Sequence, residues 1–235
     1  YFATKYYDSV TLIKLGEQKQ VKSTDLLSLD TGNTGNIVMG GSASLPMASF
    51  LLQQGSIQTN SAGLANAGDV FVRVAGDLAV AGEAGDRAVI ASLSDGVGDA
   101  GDILLFGDRI GAQFTDIFTT GLNLSGPGLI NLQAGIGGMV LDNTSLLGAF
   151  NPQGTGASIA LLSEGDLTLS SEQQSNLINT GTSGNTVGGD IVISAVGDLT
   201  VRGDFDISHG TVGAPNAVGA GGEISLSGRN VTLAK

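Results

Sequence analysis

The chain contains no cysteine and no tryptophan, and its 235 residues include only four prolines and one histidine. Without cysteine there are no disulfides and no thiolate metal site, although this leaves the cellular compartment open. Aromatic residues make up 5% of the chain. That is too few for a core built around large rings, so any core must be narrow and lined by Val, Ile, Leu and Ala. Basic residues are also scarce: 10 Lys and Arg face 22 Asp and Glu, giving a formal net charge of -12. Nucleic-acid binding needs a basic footprint, so no nucleic-acid partner is expected. No apolar run reaches the roughly 18 residues of a membrane span. The chain has neither an initiating Met nor a signal-peptide pattern, so it reads as a processed product or a piece of a longer chain.

Glycine is abundant, with 38 residues. Flexible low complexity is excluded because apolar runs recur at fixed intervals, which disordered sequence lacks. Gly35-Asn36-Ile37-Val38-Met39, Gly68-Asp69-Val70-Phe71-Val72, Gly101-Asp102-Ile103-Leu104-Leu105, Gly189-Asp190-Ile191-Val192-Ile193 and Gly222-Glu223-Ile224-Ser225-Leu226 are five copies of one phrase. Two weaker copies start at Gly128 and Ala157, and successive starts lie 27–33 residues apart. A fixed period in this range marks a solenoid. A second phrase follows, as in Gly76-Asp77-Leu78-Ala79-Val80, Gly165-Asp166-Leu167-Thr168-Leu169 and Gly197-Asp198-Leu199-Thr200-Val201. A third apolar patch recurs at Ser56-Ile57, Ala88-Val89-Ile90, Leu177-Ile178 and Phe205-Asp206-Ile207.

Each repeat therefore reads as three short strands with period-2 alternation and no helix. Leucine-rich repeats carry a Leu/Asn signature that is absent here, and propeller blades need four strands and about 40 residues. The expectation is an all-β, right-handed parallel β-helix of about eight coils of 27–33 residues. Residues 1–34 would form an N-terminal capping or docking segment with a first irregular coil, and residues 35–235 the repeats. Ile37, Val70, Ile103, Ile130, Ile159, Ile191 and Ile224 should stack inside. Gly should supply positive φ at the corners, and Asp or Asn should close its own turn there.

These phrases, with their Gly/Asn-rich closing loops, resemble the filamentous-haemagglutinin-like repeats of secreted bacterial proteins, among them the large surface proteins of cyanobacteria. The resemblance covers most of residues 35–235. It implies a right-handed parallel β-helix, export by two-partner secretion, and a role in adhesion or extracellular fibres. Asn151-Pro152-Gln153-Gly154 is a near match to the Asn-Pro-Asn-Gly motif of the family's secretion domain. It departs at the third residue and lies late in the chain, so it is read as a turn.

Asp69, Asp102, Asp190 and Glu223 share one repeat position with Asn36. Stacked about 4.8 Å apart, they are candidate Ca²⁺ ligands. Against this stand Leu129 and Ser158, which interrupt the column, and the absence of the nonapeptide Ca²⁺-binding repeat. The favoured reading is turn capping with no cofactor. His209 lies in Ser208-His209-Gly210, which resembles part of a polygalacturonase motif. No Asp-Asp pair and no Arg-x-Lys accompany it, and no Gly-x-Ser-x-Gly elbow supports a serine nucleophile. The chain is thus expected not to be an enzyme. Thr168, Thr200 and Thr232 share a register, but three hydroxyls are few for an ice-matching plane.

The first 22 residues break the repeat. Lys5, Lys14, Lys19 and Lys22 against Asp8 and Glu17 give them a charge of +2 and leave -14 for the remainder. They hold all three tyrosines. Tyr1, Phe2, Lys5, Tyr6, Tyr7 and Lys14 at one end, with Val231 and Leu233 at the other, are the candidate assembly residues. Solenoid ends expose unpaired backbone, so such a segment either caps its own coil or docks on another molecule. The resulting expectation is a secreted or cell-surface structural or adhesive protein without a membrane span, associating end to end into filaments, with cell-surface polysaccharide as a further partner. The alternatives are a carbohydrate-binding or polysaccharide-cleaving β-helix, and a shaft segment of a giant adhesin.

Overall fold

The computed structural model describes residues 9–12, 19–22, 25–30, 36–40, 47–61, 66–121, 126, 128–148, 156–180, 188–208 and 222–234. Among these residues there are nineteen strands and no helix. All strand-to-strand ladders are parallel, and each joins a strand to its counterpart in the next repeat. The chain is an all-β parallel solenoid with three sides.

The first side follows the Gly-Asx phrase. Ile37 pairs with Val70, Val70 with Ile103, and the column continues through Ile130, Ile159 and Ile191 to Ile224. This is the column expected from the sequence. Ile37 through Ile191 are buried, and Ile224 packs partly buried against the core. On the second side Phe50, Leu78, Ile110, Met139, Leu167 and Leu199 stack inward. On the third side Ile57, Ile90, Ile117, Leu146 and Ile178 do so. Each fully buried Ile or Leu contributes roughly 1.5–3 kcal/mol of transfer free energy. The aliphatic columns thus serve as the core that so few aromatics could not form.

The closed, core-filled body from Ile37 to Val201 makes about five turns, fewer than the eight coils expected. Repeat phrases also count rungs beyond the closed body. The strands Ser9–Leu12, Lys19–Lys22 and Asp25–Asp30 extend the three ladders from one end. Ile224–Ser227 and Val231–Ala234 extend two of them at the other, with no third side among the described residues. The three strands per repeat are also not always separate. Ile103–Gln113 and Ile130–Asp142 each run through the first and second sides, and Leu167–Asn179 and Leu199–Ser208 through the second and third.

The role of glycine differs from expectation. Positive φ occurs at only two glycines, Gly138 (φ 83°) and Gly203 (φ 90°), among the described residues. The repeat-start glycines are required by close approach. A Cβ on Gly101 would lie 2.3 Å from the Gly68 carbonyl oxygen, and one on Gly128 2.0 Å from that of Gly101. The left-handed corner between the second and third sides is instead made by Gln54, Phe114 and Asn143, with φ of 44–47°.

These contacts give a paired expectation. Gly128→Ala should lower stability by about 3 kcal/mol or more, since the new methyl overlaps the backbone of the coil beside it. At Gly111, on the outer face, a Cβ meets nothing within 4 Å. Gly111→Ala should therefore leave stability unchanged or raise it by up to about 1 kcal/mol. Urea-unfolding midpoints of the two variants check this.

Candidate functional sites on the solenoid surface

At the first corner, acidic and amide side chains do not close their own turns. They reach across to the neighbouring coil. Asn36 Oδ1 accepts from the Asp69 backbone N–H at 2.8 Å, Asp69 Oδ1 from Asp102 N–H at 2.9 Å, and Asp102 Oδ1 from Leu129 N–H at 2.7 Å. Leu129 has no side-chain acceptor and interrupts the column. It resumes when Ser158 Oγ accepts from Asp190 N–H at 3.3 Å and Asp190 Oδ1 from Glu223 N–H at 2.8 Å. A ladder of side chains thus satisfies corner amides that the strand pairing leaves over. The Ca²⁺ candidates Asp69, Asp102, Asp190 and Glu223 do align, as two adjacent pairs separated by Leu129 and Ser158. Among the described residues no three acidic, His or Cys side chains come together as a metal site.

The second corner repeats the device. Asp166 Oδ1 accepts from Asp198 N–H at 2.8 Å. Asp198 Oδ1 then receives both Arg229 Nε and Asn230 Nδ2 at 2.9 Å. The Arg229 hydrogen bond, followed by that of Asn230, holds the Asp198 carboxyl below its usual range, and Asp198 in turn raises Arg229. A depressed carboxylate contributes stability above its unfolded pKa and loses it as pH falls through the folded value. Acid therefore loosens the tie to this C-terminal rung.

Buried hydroxyls form a third column. Thr59 Oγ1 and Ser92 Oγ both donate to the Gly68 carbonyl, at 2.5 and 3.1 Å. Ser92 Oγ accepts from Gly101 N–H at 2.8 Å, and Thr119 Oγ1 from Gly128 N–H at 2.9 Å. The same corner glycines that leave no room for a Cβ are thus held by hydroxyls from the third side.

Sequence reasoning missed Arg87. Its Nε donates to Asp116 Oδ1 at 2.9 Å, and a terminal nitrogen donates to the carbonyls of Thr115 (2.9 Å) and Asn143 (2.8 Å). One half-buried guanidinium thereby ties three successive coils at the second-to-third-side corner. No repeat phrase marks it, because its partners lie 28, 29 and 56 residues away.

Two surface features remain. Thr168, Thr200 and Thr232 do stack on the outer second side, as their register suggested. They continue a column from Ala79, Gly111 and Val140, so the hydroxyl face covers only its C-terminal half. On the outer first side, a groove of about 520 Å³ runs across four consecutive coils. Phe71 and Phe106 form one wall, their ring centroids 5.5 Å apart and tilted by 42°. Asp108 and Glu164 line it nearer the corner. Phe71 faces outward by strand alternation between inward Val70 and Val72, a signal present in the sequence.

At the C-terminal edge, Val231 and Leu233 continue the buried columns of Leu199 and Val201, yet are 46% and 65% exposed. A cavity of about 560 Å³ beside them is lined by Val201, Ile207, Ile224 and Leu226. The other assembly candidates, Tyr1, Phe2, Lys5, Tyr6, Tyr7 and Lys14, lie outside the described residues, as do His209 and Asn151–Gly154.

Arg87→Ala should cost about 1–3 kcal/mol, because it leaves the Asp116 carboxylate and two partly buried carbonyls without their donor. Arg87→Lys should recover only part of this, since a single ammonium cannot reproduce the guanidinium fork. Thermal melts of both variants check it.

Compared with protein-family models, curated proteins and solved structures, the chain matches none. The resemblance to filamentous-haemagglutinin-like repeats therefore rests on the repeat phrases alone.

Proposed function

We propose that the chain is a secreted, right-handed, non-catalytic β-solenoid of the filamentous-haemagglutinin-like type, and that it associates end to end into an extracellular filament. The observation that carries this reading is that every ladder is parallel and sets equivalent residues of successive coils against each other, so a further coil can add in the same register. Val231 and Leu233 occupy inward register but are exposed over an apolar cavity. A parallel sheet edge is a template for another strand. A second copy adding its N-terminal coil there would bury both residues and extend the ladders by main-chain hydrogen bonds.

Charge favours the same arrangement. The first 22 residues carry +2 against -14 on the remainder, and opposite charge steers encounter more than it adds affinity. A head-to-tail contact is heterologous and propagates as a filament unless rotation closes a ring. The absence of catalysis is supported by how the corner carboxylates are used. Asp69, Asp102, Asp166, Asp190 and Asp198 each accept hydrogen bonds across coils, a structural task.

Deletion of residues 1–22 should abolish filaments seen by electron microscopy of the intact chain. Raised salt should slow their growth, since exposed charges are screened over about 8 Å at physiological ionic strength. Persistence of the same filaments after deletion, or an intact chain that stays monomeric at high concentration, overturns the proposal.

A further inference from the structure

We infer that the outer groove of the first side binds a neutral polysaccharide chain laid along the solenoid axis. The inference rests on the reading of the chain as a surface structural or adhesive protein, and names the ligand class that surface takes.

The groove has a floor kept low by small residues. Gly107 and Gly135 lie at its base, and a Cβ on Gly135 would come 2.7 Å from Asp108 Oδ1. Phe71 and Phe106 form a tilted aromatic wall from two successive coils. Among the described residues few aromatics face outward, and placing two in contact offers an apolar surface suited to the C–H face of a sugar ring. Polar groups capable of meeting ring hydroxyls surround it: Arg73 and Gln133 lie in the same outward register as Phe106, and Asp108 and Glu164 lie at the corner. Among the described residues, the side chains of Arg73, Gln133 and Glu164 form no hydrogen bond or ion pair with the protein.

Two arguments select the occupant. The groove presents one cation and two carboxylates on a chain of net charge -12. That disfavours uronate, sulfated and nucleic-acid chains and leaves a neutral polymer. Its lining also comes from four successive coils. At about 4.8 Å per coil, this is roughly 14 Å of parallel-strand rise, close to three extended sugar residues. Each sugar would meet an equivalent rung, so a linear polymer suits the site better than a single compact ligand.

The test is calorimetric titration of the intact chain, in conditions where it is monodisperse. The probes are cellohexaose, mannohexaose and laminarihexaose, with polygalacturonic acid as the charged counterpart. At least one neutral hexaose should bind and the polyuronate should not. The Phe71→Ala/Phe106→Ala double variant should bind at least about tenfold more weakly. Gln133→Ala alone should weaken binding without touching the aromatic wall. Phe118→Ala, on the outer third side, should bind like the parent. Failure of all three hexaoses, unchanged binding by both groove variants, or equal binding of the polyuronate overturns the inference. Filament formation is scored separately by microscopy. Absence of filaments from the intact chain at high concentration, with hexaose binding retained, counts against assembly and leaves the groove assignment supported.

Discussion

Parallel backbone pairing between coils is the constraint on which everything else depends. It places each residue directly against its counterpart one repeat later, at the inter-strand spacing of about 4.8 Å. Along the strands this is favourable, because aliphatic side chains of similar shape stack into close-packed columns. At the corners it is restrictive. Backbone atoms of neighbouring coils come so close that no Cβ fits at Gly101, Gly128, Gly189 and Gly222, whereas Ala157 carries a buried one at the same repeat position. The corner amides left over are satisfied by the only groups that can reach them, the Asn, Asp and Ser side chains of the adjacent coil. The Gly-Asx phrase therefore answers a stacking demand, and it is relaxed at Gly128-Leu129 and Ala157-Ser158.

The same constraint makes the ends differ from the middle. A rung inside the stack has neighbours on both sides and three closed faces. The rung at 224–234 has a neighbour on one side and two described faces, so residues of inward register become exposed. Asp198, Arg229 and Asn230 tie this rung to the body at its corner. Coil-on-coil pairing of this kind links the fold to the proposed assembly. The outer faces are free of the stacking constraint. Variation such as Phe71, Leu104, Asn131 and Ala160 in one outward column is tolerated there, and surface chemistry can be built without disturbing the core.

The columns were legible in the sequence wherever a phrase repeated. Ile37, Val70, Ile103, Ile191, Leu167 and Leu199 could be aligned because Gly-Asx precedes each of them, Ile224 because Gly-Glu does, and Ile130 and Ile159 by their spacing and apolar runs. The second side at Arg109–Gln113 and the third side at Thr115–Gly121 lack that phrase. There Thr115 and Thr119 point inward as buried hydroxyls, so an apolar pattern could not reveal them. Glycine's abundance was legible, but its cause was misassigned to positive φ, because inter-coil distance is a tertiary quantity. Arg87 was invisible for the same reason: its partners are adjacent only after coiling. The aromatic wall was within reach, since alternation alone turns Phe71 outward, but its contact with Phe106 depends on the register between coils.

Residue-resolved amide hydrogen exchange on the intact chain tests the stacking account most directly. The N–H groups of Ile103, Ile130 and Ile159 donate to carbonyls of the next coil at 2.8–3.1 Å inside the closed body. They should exchange among the slowest, with protection falling toward Val231–Ala234. Exchange of these three amides as fast as that of loop amides, or protection that rises toward the C-terminal rung, would contradict it.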